Sequence, residues 1–260
     1  MSNRYVTISV DDGYPADFKA ADLLHKYGLQ ATFYISVRNP ERSTLTPGQV
    51  RELSTRFEIG SHTLNHTPLK FLKDEKAAQE ITDGKKHVEE ILGSAVISFC
   101  YPRGKFNRRT PALVKKAGFL GARTALSNLY SFPTNPFLFG VSTHAYSFSK
   151  VIHVRHALLE GNFAGIRNFI RDYKGVTDWL EHFIRGVDYV ERHGGVAHLS
   201  LHSWEMEAAG EWKKLETALD LVSQRSLTPI TNGAIFRLCH QLSACQVPSE
   251  AVAEFAGRHK

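Results

Sequence analysis

The sequence predicts an α/β fold of mainly parallel strands, and three observations lead to it. Short apolar, β-branched segments alternate with amphipathic, charged segments along almost the whole chain, as in βα units. The chain has 260 residues, of which 42% are hydrophobic and 22% charged. At this length an α/β barrel often forms one domain. Because no repeat, low-complexity tract or linker interrupts the pattern, we expect one domain over residues 1–260.

Eight segments have the composition and length of strands. They lie at about residues 5–10, 31–35, 57–61, 96–101, 119–124, 138–143, 196–201 and 228–231.

Helical patterns lie between these strands. A helix ends near Gly28, and a long charged helix runs from Asp74 to Leu92 and ends at Gly93. Asp178 is predicted to be the N-cap of a helix that continues to Gly194. The stretch from about 128 to 178 is the least regular, and we expect an insertion there that shapes access of the substrate.

Composition and charge narrow the classes of function. The net charge is +6, but the basic residues are scattered in pairs on helix faces, which argues against a nucleic-acid-binding tract. No segment approaches the roughly 18 apolar residues of a membrane span. The amino terminus enters a strand with no apolar leader, so we expect a cytoplasmic protein. Cys100, Cys239 and Cys245 share no metal-type spacing and are predicted to be small buried residues.

The first strand ends in two adjacent carboxylates, Asp11 and Asp12, followed by Gly13. Taken alone, this pair favours a turn. The alternative is that one carboxylate binds a metal ion and its neighbour moves a proton. That alternative requires histidines at a neighbouring strand end.

His62 and His66 supply that pattern, four residues apart just beyond the third strand. If these residues form a helical turn, both imidazoles face one ion. Alone, the spacing favours surface or structural histidines. Together with the aspartate pair at the same edge of a parallel sheet, it predicts a site of two imidazoles and one carboxylate.

Two further strand ends complete the pattern, YPRG with Tyr101 and Arg103, and LSLH with His202. The order SVDDG, SHTLNH, YPRG, LSLH resembles the NodB-homology polysaccharide deacetylases, carbohydrate esterase family 4, over residues 5 to about 204. The third motif departs from the commoner arginine-proline-proline-tyrosine form. The resemblance implies a distorted (β/α)7-type barrel and a divergent, cytoplasmic, glycan-biosynthesis-type member.

The resemblance also implies roles for individual residues. Asp12, His62 and His66 would bind a divalent metal ion. Zinc is the preferred candidate, and cobalt and nickel are alternatives. Asp11 would be the general base, Arg103 the guanidinium that holds it, and His202 the general acid. From their places at the strand ends, Tyr101 and Trp204 are predicted to line the substrate pocket, although Trp204 is equally consistent with a packed tryptophan that contacts no ligand. Taken alone, Arg103 favours a solvated loop residue, and Tyr101 favours a core residue.

The residue that orients His202 is not evident from the sequence. Asp178 and His144 are two candidates, although Asp178 fits a helix N-cap better.

The predicted activity is removal of an N-acetyl group from an amino sugar that is nucleotide- or lipid-linked, in the synthesis of cell-surface polysaccharide or lipopolysaccharide O-antigen. Two alternatives stay open. One is another hydrolase of linear or cyclic amides, such as a sugar deformylase, and the other is a non-catalytic carbohydrate-binding protein.

Overall fold

Eight strands form one curved sheet in the computed structural model, which describes residues 4–245. They are β1 (Arg4–Asp12), β2 (Ala31–Ile35), β3 (Glu58–Ser61), β4 (Ser98–Cys100), β5 (Gly121–Arg123), β6 (Thr143–His144), β7 (Gly195–Leu201) and β8 (Thr228–Pro229). Every ladder among these strands is parallel. The predicted α/β class is confirmed.

Ten α-helices connect the strands of the described part of the chain. They are α1 (Asp17–Lys26), α2 (Pro47–Ser54), α3 (Asp74–Leu92), α4 (Thr110–Lys116), α5 (Lys150–Leu159), α6 (Phe163–Arg171), α7 (Trp179–His193), α8 (Ser203–Ala209), α9 (Trp212–Ser223) and α10 (Asn232–Cys245). Three short 3₁₀ helices lie at Leu69–Phe71, Pro102–Gly104 and Pro136–Leu138.

The sheet closes into a distorted barrel, as expected. The strand order is β5-β4-β3-β2-β1-β7-β6, so β5 and β6 are its edges. A parallel bridge joins Arg123 of β5 to Phe139, and a few residues later Thr143 pairs with Leu199 of β7. The segment from Phe139 to His144 therefore pairs with β5 at its start and with β7 at its end. The predicted strand at 138–143 is correspondingly short, because its first part bonds to β5 and only its end joins β7.

The amino ends of the strands are closed by the start of α10. The side chain of Asn232 accepts a hydrogen bond from Thr7 at 2.9 Å and donates one to the Tyr34 hydroxyl at 2.9 Å. Glu58 accepts from Thr32 at 2.6 Å and from the backbone N–H of Gly233 at 2.9 Å. The buried polar groups of this network are thus paired, and the opposite, carboxyl edge of the sheet is where a site is expected.

Other predictions made for the chain have clear structural counterparts. The helix α3 begins and ends where the sequence predicts, and Asp178 caps α7 by accepting hydrogen bonds from the N–H groups of Leu180 and Glu181. Cys100 and Cys239 are buried, while the side chain of Cys245 lies outside the described residues. Between residues 4 and 245, no helix combines the length and hydropathy that a membrane span requires.

Candidate active site

The carboxyl ends of neighbouring strands bring the predicted metal ligands together. Nε2 of His66 lies 3.1 Å from Oδ1 of Asp12, and Nε2 of His62 lies 3.6 Å from the same oxygen. The three candidate ligand atoms all lie within 4.8 Å of one another, and all three residues are buried. This oxygen of Asp12 has no hydrogen-bond partner among the described residues. A buried, unpartnered carboxylate oxygen facing two imidazoles fits a divalent cation.

The two histidines reach this position through an irregular loop. The predicted helical turn is absent, because Thr63 and His66 both have left-handed backbone, with φ of 69° and 53°. Helix α3 fastens the loop: the Glu80 carboxylate accepts from the N–H of Asn65 at 3.0 Å and from its side-chain amide at 2.7 Å. Gly84 lets α3 approach closely, since a Cβ there would lie 2.6 Å from the backbone carbon of Thr63.

His62 is held in the tautomer that a metal ligand needs. Its Nδ1 lies 2.8 Å from the carbonyl oxygen of Cys100, and because a carbonyl only accepts, Nδ1 carries the proton. Its Nε2 therefore presents a lone pair toward Asp12. Burial lowers the pKa of His62 to about 4, so the ring is neutral near pH 7. A backbone acceptor that fixes a histidine in this way is typical of metal sites.

A second group of three, Asp11, His62 and Cys100, also converges. Burial raises the pKa of the Cys100 thiol well above its ordinary value, which disfavours the thiolate that a metal ligand requires. Asp11 is already engaged by a guanidinium. The set of Asp12, His62 and His66 is therefore the better candidate metal site.

Asp11 forms a buried ion pair with Arg123. The guanidinium of Arg123, at the end of β5, donates to Oδ2 of Asp11, and both side chains are nearly inaccessible. Burial alone would raise the pKa of Asp11, but the charge of Arg123, with a further contribution from His202, lowers it. Asp11 is therefore ionised near neutral pH. Its other oxygen has no protein hydrogen-bond partner among the described residues, so it remains available to a water molecule.

Arg103 does not hold Asp11, contrary to the role that the resemblance implies. It lies in the 3₁₀ helix after β4 with φ of 55°, and its guanidinium pairs with Glu41. Both partners are about half exposed. The contact with Asp11 is made by Arg123 instead, because β5 ends beside β4 and directs a buried side chain into the barrel, whereas the YPRG loop leads away from it.

His202 lies on the other side of Asp11. Its Nε2 is 3.7 Å from Oδ2 of Asp11, and its Nδ1 is 2.8 Å from a carboxylate oxygen of Glu205. Burial by itself would lower the pKa of His202, but the hydrogen bond to Glu205 and the charges of Asp11 and Asp12 raise it to about 9. The imidazole is thus protonated at neutral pH, as a general acid must be.

Glu205 is the residue that orients His202, and neither Asp178 nor His144 does so. Asp178 caps α7 and pairs with Lys214 at 2.6 Å, while His144 donates from Nε2 to the carbonyl of Ala125 at 3.1 Å. The signal for Glu205 is its spacing: His202 precedes α8, and a residue three positions later in the first turn faces back toward it.

Trp204 and Tyr101 occupy different environments. The indole N–H of Trp204 donates to Oδ2 of Asp12 at 3.0 Å, so the tryptophan supports a candidate metal ligand. The Arg42 guanidinium covers one face of its ring at 3.5 Å. Tyr101 is fully buried, and its hydroxyl donates to the carbonyl of Phe137 at 3.1 Å. Tyr101 is a core residue here and offers no surface to a substrate.

Several known proteins are similar to parts of this chain. Residues 1–122 match the family model described as polysaccharide deacetylase. The peptidoglycan-N-acetylglucosamine deacetylase of Bacillus cereus is 32% identical over 120 residues, which cover 45% of this chain and 55% of that protein. The chain spans about half the length of the curated relatives it matches.

Solved structures extend the likeness in fold. A family 4 carbohydrate esterase from Bacillus anthracis superposes with a TM-score of 0.56 at 16% identity, covering 90% of this chain and 83% of that one. A family 4 acetyl xylan esterase from Clostridium thermocellum, in complex with a cobalt ion, superposes with a TM-score of 0.54 at 18% identity. The match covers 90% of this chain and 91% of that one. At these identities the likeness shows the fold alone. Residues 1–122 of this chain are therefore similar to the polysaccharide deacetylase family.

Proposed function

We propose that this chain is a metal-dependent hydrolase that removes the acetyl group from the nitrogen of an acetylated amino sugar. The observation that carries the proposal is the position of Asp11, which lies between Arg123 and His202. The next residue, Asp12, belongs with His62 and His66 to the candidate ligand set. The relative from Bacillus cereus is named as a deacetylase of N-acetylglucosamine in peptidoglycan.

Amide hydrolysis needs an activated water, a stabilised oxyanion and a protonated leaving nitrogen. A divalent metal bound by Asp12, His62 and His66 would activate the water by lowering its pKa and polarise the acetyl carbonyl. Zinc, cobalt and nickel all suit two imidazoles and a carboxylate. The complex of the Clostridium thermocellum esterase with cobalt supports a metal of this group.

The proton transfers are assigned to two residues of this chain. Asp11 is ionised and has one free oxygen, so it accepts the proton that the attacking water loses. Arg123 keeps that carboxylate charged and fixed. His202 is protonated and donates its proton to the nitrogen as the carbon–nitrogen bond breaks, and Glu205 holds the ring in place. Each of these proton transfers contributes on the order of 10²–10⁴-fold.

The predicted cytoplasmic location, the nucleotide- or lipid-linked carrier and the role in surface-polysaccharide or O-antigen synthesis belong to the same proposal. The net charge of +6 supports an anionic, phosphate-bearing carrier.

The test is to load the purified protein with zinc, cobalt or nickel and to measure metal content, free amine and acetate with acetylated amino sugars. N-formyl sugars and cyclic amides in the same panel distinguish the alternative hydrolases. We expect one metal ion per chain, and loss of at least about 100-fold in kcat on Asp11→Asn or His202→Ala. The exposed carboxylate variant Asp22→Asn is the control. Unchanged turnover in both variants, or activity without bound metal, would contradict the proposal.

A further inference from the structure

The exposed apolar side chains of this protein are concentrated in one region. Among residues 4–242, whose side chains the structure describes, ten large apolar side chains are exposed, and six of them lie on α5 and α6. These six are Val151, Ile152, Leu158, Leu159, Phe163 and Ile170. Both helices belong to the region that the sequence predicts as an insertion. Exposed apolar residues scattered singly need no explanation, but a concentration of them marks a surface that binds something.

Two neighbouring grooves join the α5 side chains to others in a continuous surface. Val151, Leu158 and Leu159 line one groove, and Leu159 also lines a second groove together with Phe71 and Leu138. Because Leu159 borders both grooves, we treat these five side chains as one apolar surface. Phe71, Val151 and Leu159 are 75%, 75% and 72% exposed, so most of each side chain is left uncovered by the described part of the chain.

Basic side chains border the apolar surface. The two grooves together carry five of them: Lys70, Lys105, Arg108, Lys150 and Arg155. Glu160 is the one acidic residue among the described residues that line either groove, and it lies 3.9 Å from Lys105. The other four basic residues form no salt bridge within residues 4–242. The surface therefore combines apolar side chains with a strong excess of positive charge, and its partner must be apolar and anionic at once.

A bilayer that contains anionic lipid has both properties. Apolar side chains on short amphipathic helices insert between the headgroups, while neighbouring lysines and arginines bind the phosphates. The lengths of the helices agree with this mode of binding. With 10 and 9 residues, α5 and α6 have about half of the roughly 20 residues that a spanning helix needs, so they would lie in the interface and not cross it.

A second copy of the chain fits the surface less well. In a symmetric dimer the same patch of both copies meets itself, so the five basic side chains of one copy would face the five of the other. Charged residues, and lysines in particular, are depleted in the centres of such interfaces. Nucleic acid would satisfy the positive charge, but its phosphate backbone offers no apolar partner for the exposed phenylalanine and leucines.

The apolar surface lies on the same side of the sheet as the candidate active site. Phe71 follows β3 through the loop that carries His62 and His66, and Lys105 and Arg108 follow the carboxyl end of β4. A bilayer bound here would therefore adjoin the carboxyl edge of the sheet, where the candidate metal ligands converge.

We propose that the apolar surface and its basic border attach this protein to the surface of a bilayer that contains anionic lipid. The apolar side chains enter the region between the headgroups, and the lysines and arginines around them bind lipid phosphates. The inference goes beyond the proposed function, because attachment to lipid requires no deacetylation.

The experiment measures flotation of the metal-loaded full chain with vesicles of phosphatidylcholine, alone or with about one third phosphatidylglycerol. We expect binding to the anionic vesicles, weaker binding to the neutral ones, and a decrease as salt is added. One double variant, Phe71→Ser with Leu159→Ser, removes apolar side chains. A second, Arg108→Gln with Arg155→Gln, removes positive charge.

Each double variant should weaken partition into anionic vesicles at least about tenfold. Metal content and thermal unfolding should stay as in the wild type, because all four side chains are exposed. The matched controls are the exposed Leu221→Ser on α9 and Lys116→Gln on α4, which lie outside both grooves and should bind vesicles as the wild type does.

The outcomes separate this inference from the proposed function. Vesicle binding that is weakened in both double variants supports the inference even if no sugar is deacetylated. Deacetylation by a protein that binds no vesicles overturns the inference and leaves the proposed function standing. Equal binding to neutral and anionic vesicles, or unchanged binding in either double variant, also overturns it. Self-association that is lost in the Phe71→Ser, Leu159→Ser protein, without any vesicle binding, would show that the surface joins two copies of the chain instead.

Discussion

At the scale of residues, neighbours in sequence have different functions because the backbone turns between them. Asp11 continues the extended strand and faces Arg123 and His202, whereas Asp12 has a left-handed φ of 81° and faces the histidines. An aspartate accepts this conformation more readily than most residues. The DDG sequence suggests both a turn and a metal site, and in the structure the turn is what forms the candidate site.

Arg123 and Arg103 provide a direct comparison of a buried and an exposed guanidinium. In Arg123→Gln the Asp11 charge loses its buried partner, so we expect the free energy of unfolding to fall by about 3–5 kcal/mol. The pKa of Asp11 should rise, and because the base must be ionised, the acidic limb of kcat/KM should move to higher pH. In Arg103→Gln the exposed pair with Glu41 is lost, at a cost below about 1 kcal/mol. Denaturant unfolding measures the loss of stability in each variant, and pH profiles of kcat/KM measure the shift of the acidic limb. Equal effects of the two substitutions would contradict the assignment of Arg123 as the partner of Asp11.

Glu205 should control the opposite limb of the pH profile. His202 acts as an acid only while protonated, and the hydrogen bond that it donates to the Glu205 carboxylate contributes to its raised pKa of about 9. In Glu205→Gln that pKa should fall, so loss of activity on the alkaline side should begin at lower pH. The exposed Glu207→Gln on the same helix is the control. An alkaline limb that stays in place in Glu205→Gln would show that His202 is not the titrating acid.

At the scale of elements, the site depends on how closely α3 approaches the histidine loop. Alanine is favoured over glycine inside a helix by up to about 1 kcal/mol, so a free helix would gain from Gly84→Ala. Here the added Cβ would lie 2.7 Å from the backbone nitrogen of Leu64, which must move. We expect a net loss of about 1–3 kcal/mol and weaker metal binding through a displaced His66.

Gly48 in α2 is the matched control for Gly84, because nothing lies within 4 Å of a Cβ added there. Gly48→Ala should leave metal affinity unchanged and be neutral or slightly stabilising. Thermal unfolding and titration with cobalt measure both quantities. A stabilised Gly84→Ala protein with normal metal affinity would show that this close approach does not position the loop.

The same elements show what the sequence could predict. Periodicity and caps located α3 and α7 well, and the motifs at strand ends located Asp11, Asp12, His62, His66 and His202. The role of Arg123 cannot be predicted from local sequence, because an arginine within a strand has no local motif and only closure of the barrel directs it toward Asp11. The cavity of about 330 Å³ between the segment after β5, β6, α5 and α7 depends on contacts between distant parts of an irregular region, which no local pattern specifies.

At the scale of the whole molecule, the two ends of the barrel have separate tasks. The carboxyl edge carries charged and unpartnered groups, while the amino edge is closed by α10 with paired polar groups. Buried polar groups without protein partners lower the stability of the fold, but an active site needs such groups to bind its ligands. The paired network at the amino end is therefore expected to supply stability that the functional end does not.

Asn232 tests this division. In Asn232→Ala, the Thr7 and Tyr34 hydroxyls lose their partner inside the barrel, so we expect the free energy of unfolding to fall by about 3 kcal/mol. Below the unfolding transition, metal content and kcat/KM should stay within about twofold of the wild type, because the change lies at the opposite end of the barrel. The exposed Gln241→Ala on α10 is the control. His66→Gln should show the reverse pattern, with metal lost and stability largely kept. A loss of metal in Asn232→Ala at full folding would show that the two ends are coupled, and the division of tasks would be wrong.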